Sequence, residues 1–123
     1  MDSQMDGDNG HIEVEQLDGL IAAAGADGVR EIFDAFWRTS EELLDLLSTQ
    51  VNGGDLTLAA GTAHSLKGMA ANVGASALSA TATDLEIACQ NADANAADGH
   101  VEQARADYLA AQHWLKNHLQ KAS

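Results

Sequence analysis

Apolar residues recur along the chain at helical spacing, and short polar or glycine-rich breaks separate the periodic stretches. Leu17, Leu20, Ile21 and Ala24 fall on one face of a short helix predicted over 12–24, which Gly25 ends. Val29, Ile32, Phe33, Phe36, Leu43, Leu44, Leu47 and Val51 follow the i, i+3, i+4, i+7 rule over 28–51, with Asp27 placed to cap that helix and Gly53-Gly54 to stop it. Asp55 can cap a third helix running to about Val73, where Gly74 breaks it. A fourth, over 75–91, carries Leu78, Ala82, Leu85, Cys89 and Ala92 on one stripe, with Ala92 at its fraying end. The stretch 93–99 reads as a loop. A last helix over 100–120 turns Val101, Ala104, Tyr108, Ala111, Leu115 and Leu119 inward.

Four long helices joined by short loops imply antiparallel neighbours. The predicted fold class is therefore all-α: an antiparallel up-down-up-down four-helix bundle with a short additional N-terminal helix. Residues 1–10 are polar and turn-rich and read as a mobile tail, leaving 11–123 as one domain. Composition agrees. The chain has 123 residues, 46% of them hydrophobic and only 4% aromatic, with no proline and with alanine supplying much of the apolar fraction.

The formal net charge of −13 argues against nucleic acid and anionic membrane surfaces as partners, since both require a basic patch. It favours solubility and steers basic partners. Most of the carboxylates read as solvated. The single cysteine, Cys89, rules out an intrachain disulfide and sits on an apolar stripe as a small core residue. No secretory segment and no apolar run near 20 residues is visible, so the cytoplasm is the expected compartment.

The informative segment is Ala63-His64-Ser65-Leu66-Lys67-Gly68, followed by Gly74. At about 100° per residue, Ala59, Ala63, Leu66, Ala70 and Val73 form the core stripe, and His64 lies off it, near its edge. Around His64 stand Ala60, Gly61, Lys67, Gly68 and Ala71: small residues and one cation. A mid-helix glycine costs about 1 kcal/mol against alanine, so Gly68, one turn after His64, needs a reason. Close helix packing is one. Clearance for a partner to reach the ring is the other, and the outward face of Gly68 favours it. Lys67 reads either as an ordinary solvated lysine or as the group that offsets charge on a modified imidazole; it is one of only six Lys and Arg.

A neutral imidazole nitrogen is a good nucleophile for phosphorus near neutral pH. Its other ring nitrogen needs an acceptor to fix the tautomer. Glu86, on the following antiparallel helix, can supply one and orient the ring, or can equally be a solvated surface glutamate.

These residues resemble the A-H-x-L-K-G-x-x-x-x-x-G pattern of histidine-containing phosphotransfer (Hpt) domains, over about residues 12–120. In that resemblance His64 matches the phosphoacceptor, Lys67 and Gly68 the lysine and glycine of the pattern, Leu85-Glu86 a frequent Leu-Glu pair, and Asp55 the acidic residue that often opens the histidine helix. It implies a four-helix bundle and a phosphoryl group on Nε2 of His64. It implies response-regulator receiver domains and a hybrid histidine kinase as partners, and a monomer. No cofactor is implied in the domain itself, the magnesium belonging to the receiver. Ala60, Gly61, Gly68 and Ala71 would then form the partner-binding surface. Gln90 departs from members with a basic residue one turn after the Glu86 position, which puts partner contacts there in doubt.

Three other readings compete. The phosphoacceptor domain of a chemotaxis-type histidine kinase shares the bundle, but 123 residues leave no room for the rest of a kinase. A di-iron bundle would carry Glu-x-x-His motifs, and none occurs; His11, His100, His113 and His118 lack ligand spacing and read as surface or interface residues. A structural adaptor leaves the His64, Lys67, Gly68 constellation unexplained. No glycine-rich nucleotide loop is present, so the phosphoryl group is expected from another phosphoprotein and the chain is not expected to be an ATP-dependent kinase.

Overall fold

The computed structural model describes residues 12–122. It contains four helices: α1 (Val14–Asn52), α2 (Leu56–Asn72), α3 (Ser76–Gln90) and α4 (Ala94–Ala122). The predicted tail over 1–10, and His11, lie outside the described residues.

Helix α1 contains both predicted N-terminal helices. They meet at Gly25, whose φ of 78° and ψ of 165° break the helical path, a conformation open to glycine because it has no Cβ. Asp27 does not cap the second of them. It lies just past the break at Gly25, and its Oδ1 accepts from Arg30 Nη1 at 2.9 Å. Asp55 does occupy the N-cap position of α2, though without a side-chain bond to the backbone.

The three connections between long helices are built alike. Each ends its helix with a 6→1 and a 5→2 backbone bond around one left-handed residue, the Schellman arrangement. Asp55 N donates to Gln50 O and Gly54 N to Val51 O; Ala75 N donates to Ala70 O and Gly74 N to Ala71 O; Asp93 N donates to Ala88 O and Ala92 N to Cys89 O. The left-handed residues are Gly54, Gly74 and Ala92, with φ of 78°, 79° and 57°. An L-residue in that region costs about 1–2 kcal/mol, so the third turn carries a strain that the two glycine turns avoid.

That turn corrects two expectations. Ala92 is exposed and does not continue the α3 stripe. The stretch 94–99 is the first part of α4, not a loop: Asp93 Oδ1 accepts from Ala96 N at 3.1 Å as an N-cap, and Ala97 is fully buried.

The helices meet in cyclic order, α1 against α2, α2 against α3, α3 against α4 and α4 against α1, which the three short turns make antiparallel. Four of the five aromatic residues form one cluster in the core, where Trp37 packs on Phe33, Phe36 and Tyr108 with ring centroids 5.0–5.6 Å apart. Tyr108 satisfies its hydroxyl by donating to Trp37 O at 3.3 Å. Most of the predicted stripe positions are buried; Leu20, Ile21 and Leu43 are half-buried, and Ala24 and Ile32, like Ala92, are exposed. Burial pushes the Cys89 thiol up, as suits a small core residue rather than a nucleophile.

Candidate functional site

Helix α2 fixes the site. Its predicted core stripe, Ala59, Ala63, Leu66, Ala70 and Val73, is buried against the bundle. This anchors the helix rotationally and leaves His64 on the outside, its side chain 64% exposed. Helix α3 presents Glu86 to it because the neighbouring Leu85 is fully buried and locks the register. Ser79 on α3 adds a cross-helix tie, donating to Lys67 O at 3.3 Å.

Glu86 reaches both partners. Its Oε2 lies 3.1 Å from His64 Nδ1, and its Oε1 lies 3.1 Å from Lys67 Nζ. A carboxylate can only accept, so Nδ1 must carry the ring proton in this contact. The lone pair of a neutral ring is then on Nε2. Glu86 is only 16% exposed. The hydrogen bond from Lys67 holds its carboxyl below the usual carboxylate range against the opposing effect of burial, with further help from the Lys67 and His64 charges.

A carboxyl depressed in the fold contributes stability above its unfolded titration range and loses it as pH falls through the folded value. The His64–Glu86–Lys67 arrangement therefore persists to a pH below ordinary glutamate titration.

Sequence reasoning placed these three residues near one another but missed that Lys67 is bonded to Glu86. Charge signs alone do not choose between a lysine aimed at solvent and one aimed at a carboxylate across a helix interface.

Around His64, Gly61, Gly68 and Ala71 are exposed and Ala60 is half-buried. A Cβ built at Gly61 or Gly68 would meet nothing within 4 Å, so neither glycine is there to let helices approach. Of the two reasons considered for Gly68, close packing is excluded by this open space.

The remaining described histidines stand elsewhere. His113 Nε2 lies 3.3 Å from Asn117 Nδ2, and His118 stacks on Trp114 with Nε2 3.8 Å from Asp18 Oδ1. His100 is half-buried and, with Asp84 and Asp93 among others, lines a shallow depression between α3 and α4. Among the described residues no group of three or more His, Cys, Asp or Glu side chains could hold a metal ion, and no helix is long and apolar enough to cross a membrane.

Comparison with known proteins gives one family. The Hpt domain model matches residues 31–120, a span that contains the whole His64–Lys67–Glu86 site. No curated protein sequence matches the chain. Among solved structures, histidine-containing phosphotransfer protein B (HptB) from Pseudomonas aeruginosa PAO1 superposes with a TM-score of 0.82 at 27% identity, covering 90% of this chain and 96% of that one. A rice protein assigned as a histidine-containing phosphotransfer protein gives the same TM-score at 21% identity, covering 96% of this chain and 85% of its own, and speaks for the fold alone. With the bundle, the exposed histidine and the family match in agreement, this chain belongs to the Hpt domain family.

Proposed function

We propose that this protein is a phosphorelay intermediate that carries a phosphoryl group on Nε2 of His64, exchanging it with receiver-domain aspartates. The observation that carries the reading is the orientation of one ring: Nδ1 is engaged by Glu86 while the rest of an exposed imidazole faces solvent.

The chemistry balances on these atoms. The Nε2 lone pair attacks the phosphorus of an aspartyl phosphate, the N–P bond forms, and the P–O bond breaks with its electron pair leaving on the receiver carboxylate. The ring gains positive charge as it attacks. Glu86, accepting the Nδ1 proton's hydrogen bond, stabilises that charge as the carboxylate of a His–Asp pair does. The reverse step returns the phosphoryl group and leaves a neutral ring. Lys67, one turn from His64, offers an ammonium to the phosphoryl oxygens. Most other catalytic groups, and the magnesium ion, belong to the receiver in this reading. The phosphoryl source is another phosphoprotein, such as a hybrid histidine kinase, and the protein works in the cytoplasm as a monomer.

The direct test incubates the purified chain with a panel of radiolabelled phospho-receivers. Label that is acid-labile and base-stable is the expected result, and no transfer from any receiver would refute the proposal.

Two variants apportion the site. Glu86→Ala should slow transfer by about ten- to a hundredfold, the worth of one hydrogen bond to a charged group. Glu86→Gln should slow it less, because the amide oxygen can still accept from Nδ1. Nitrogen NMR of the His64 ring checks the cause: the proton should sit on Nδ1 in the parent and the Gln variant, and be shared between the nitrogens in the Ala variant. Lys67→Ala removes the cation but leaves ring orientation to Glu86. Its transfer rate should fall by roughly tenfold with the tautomer unchanged, and an unchanged rate would mean that Lys67 serves Glu86 alone.

A further inference from the structure

The Schellman turn at Gly74 closes the backbone at the C-terminal end of helix α2, and the helix adds little of its own to that closure. It contains two glycines facing open space and has no basic residue in its last turn. The last turn nevertheless includes Ala71, which stands two turns from His64 on the same exposed side. Beyond its own backbone closure, that turn is held from outside the helix.

Gln16, in the first turn of α1, donates from Nε2 to Asn72 O at 2.8 Å and to Ala71 O at 3.3 Å. Its neighbour Glu13 donates its backbone N–H to Gly74 O at 2.7 Å. The fit is close: a Cβ at Gly74 would lie 3.2 Å from both Cδ and Oε1 of Gln16 and 3.3 Å from the Glu13 Cβ. Gly74 therefore serves two ends. Its φ of 79° makes the turn, and its missing side chain admits the Gln16 amide. The Gln16 side chain is an external C-cap, supplied from 55 residues away in sequence to the carbonyl end of the histidine helix, where the helix dipole is negative.

We propose that Gln16 is a positioning residue for receiver recognition: by donating to the Ala71 and Asn72 carbonyls it holds the far end of the docking surface in the helical register that His64 and Gly68 begin. Gln16 lies outside the span matched by the family model, residues 31–120. The inference rests on the reading of His64 as the phosphoacceptor. It separates two parts of one helix. Ring chemistry at His64, two turns before the capped end, is set by Glu86 and is independent of Gln16. Recognition across Gly68 and Ala71 depends on it.

The test is a series at position 16 in the full chain, chosen so that donor capacity and size diverge. Glutamate is isosteric with glutamine but can only accept, so Gln16→Glu sets a carboxylate against two carbonyls. Gln16→Ala removes the donor. Gln16→Lys restores a donor and adds a charge favourable to a helix C-terminus. Two measurements are made. Hydrogen exchange at the Gly74 and Ala75 amides, which close the turn onto Ala71 O and Ala70 O, should accelerate about two- to tenfold in Gln16→Ala, more in Gln16→Glu, and return toward the parent in Gln16→Lys. Transfer from a receiver that the parent chain accepts should show a raised KM in the same order with kcat unchanged, while phosphorylation of His64 by a small phosphoramidate remains at the parent rate.

A spacer role would rank the variants by volume and leave Gln16→Glu like the parent; that ranking overturns the proposal. An unaltered KM in Gln16→Glu despite faster exchange also overturns it, since the cap would then be structural only. Failure of the parent chain to accept label from any receiver is a different result: it removes the His64 reading on which this proposal stands.

Discussion

The His64→Gln variant is expected to fold as the parent does and to take no label from any phospho-receiver. The His64 side chain is 64% exposed and off the buried stripe of α2, and substitutions at such surface positions usually change stability by no more than about 0.5 kcal/mol. Helical circular dichroism and the melting temperature should therefore be nearly unchanged. Transfer, by contrast, should vanish rather than slow, because glutamine has no ring nitrogen with a free lone pair. No other described histidine has the same setting: His113 faces Asn117, His118 is stacked on Trp114, and His100 lines the depression between α3 and α4. Incubation with ATP alone should label neither protein. Retained receiver-dependent label in His64→Gln would move the phosphoacceptor to another residue and would sink the assignment.

What could be read in advance, and what could not, divides along physical lines. The core stripe of α2 and the outward position of His64 follow from helical periodicity alone, because a helix that buries Ala59, Ala63, Leu66 and Ala70 has no freedom left in where residue 64 points. The first two interhelical turns were legible because glycine stands at their left-handed positions, Gly54 and Gly74. The third was not, because Ala92 occupies that position against its intrinsic preference. A turn identical in hydrogen bonding was thus hidden by one methyl group, and the start of α4 was placed several residues late.

The site divides the same way. Glu86 was within reach as a candidate because its neighbour Leu85 fixes its face, but the Lys67–Glu86 bond depends on the separation of two helices and on side-chain torsions, which no spacing in the sequence encodes. Gln16 gave no signal at all. A glutamine on the exposed side of a short amphipathic helix looks like solvent-facing surface, and its role exists only because the chain folds back to place it at the end of α2. Contacts at long sequence separation made by uncharged polar side chains are where periodicity and motif have least to say.

Gly68→Gln should move stability and transfer in opposite directions. Glutamine is the better helix former by most of about 1 kcal/mol, and the Cβ would enter open space, with nothing within 4 Å. The melting temperature should therefore hold or rise. Long side chains on a helix lean back toward its N-terminus, over the residues three and four positions earlier. From position 68 that path crosses His64 and fills the volume a receiver must enter. A steric conflict of about 1–3 kcal/mol at the interface corresponds to roughly ten- to a hundredfold in transfer. Phosphorylation by a small phosphoramidate should suffer less, because that donor needs far less room. Gly61→Gln is the matched control: its Cβ also meets open space, and its side chain leans toward Thr57, away from the ring. That variant should obstruct a receiver without slowing the small donor. If Gly68→Gln left receiver transfer at the parent rate, clearance could not be the reason for a glycine there, and the surface formed by Gly61, Gly68 and Ala71 would have to be abandoned as the docking face.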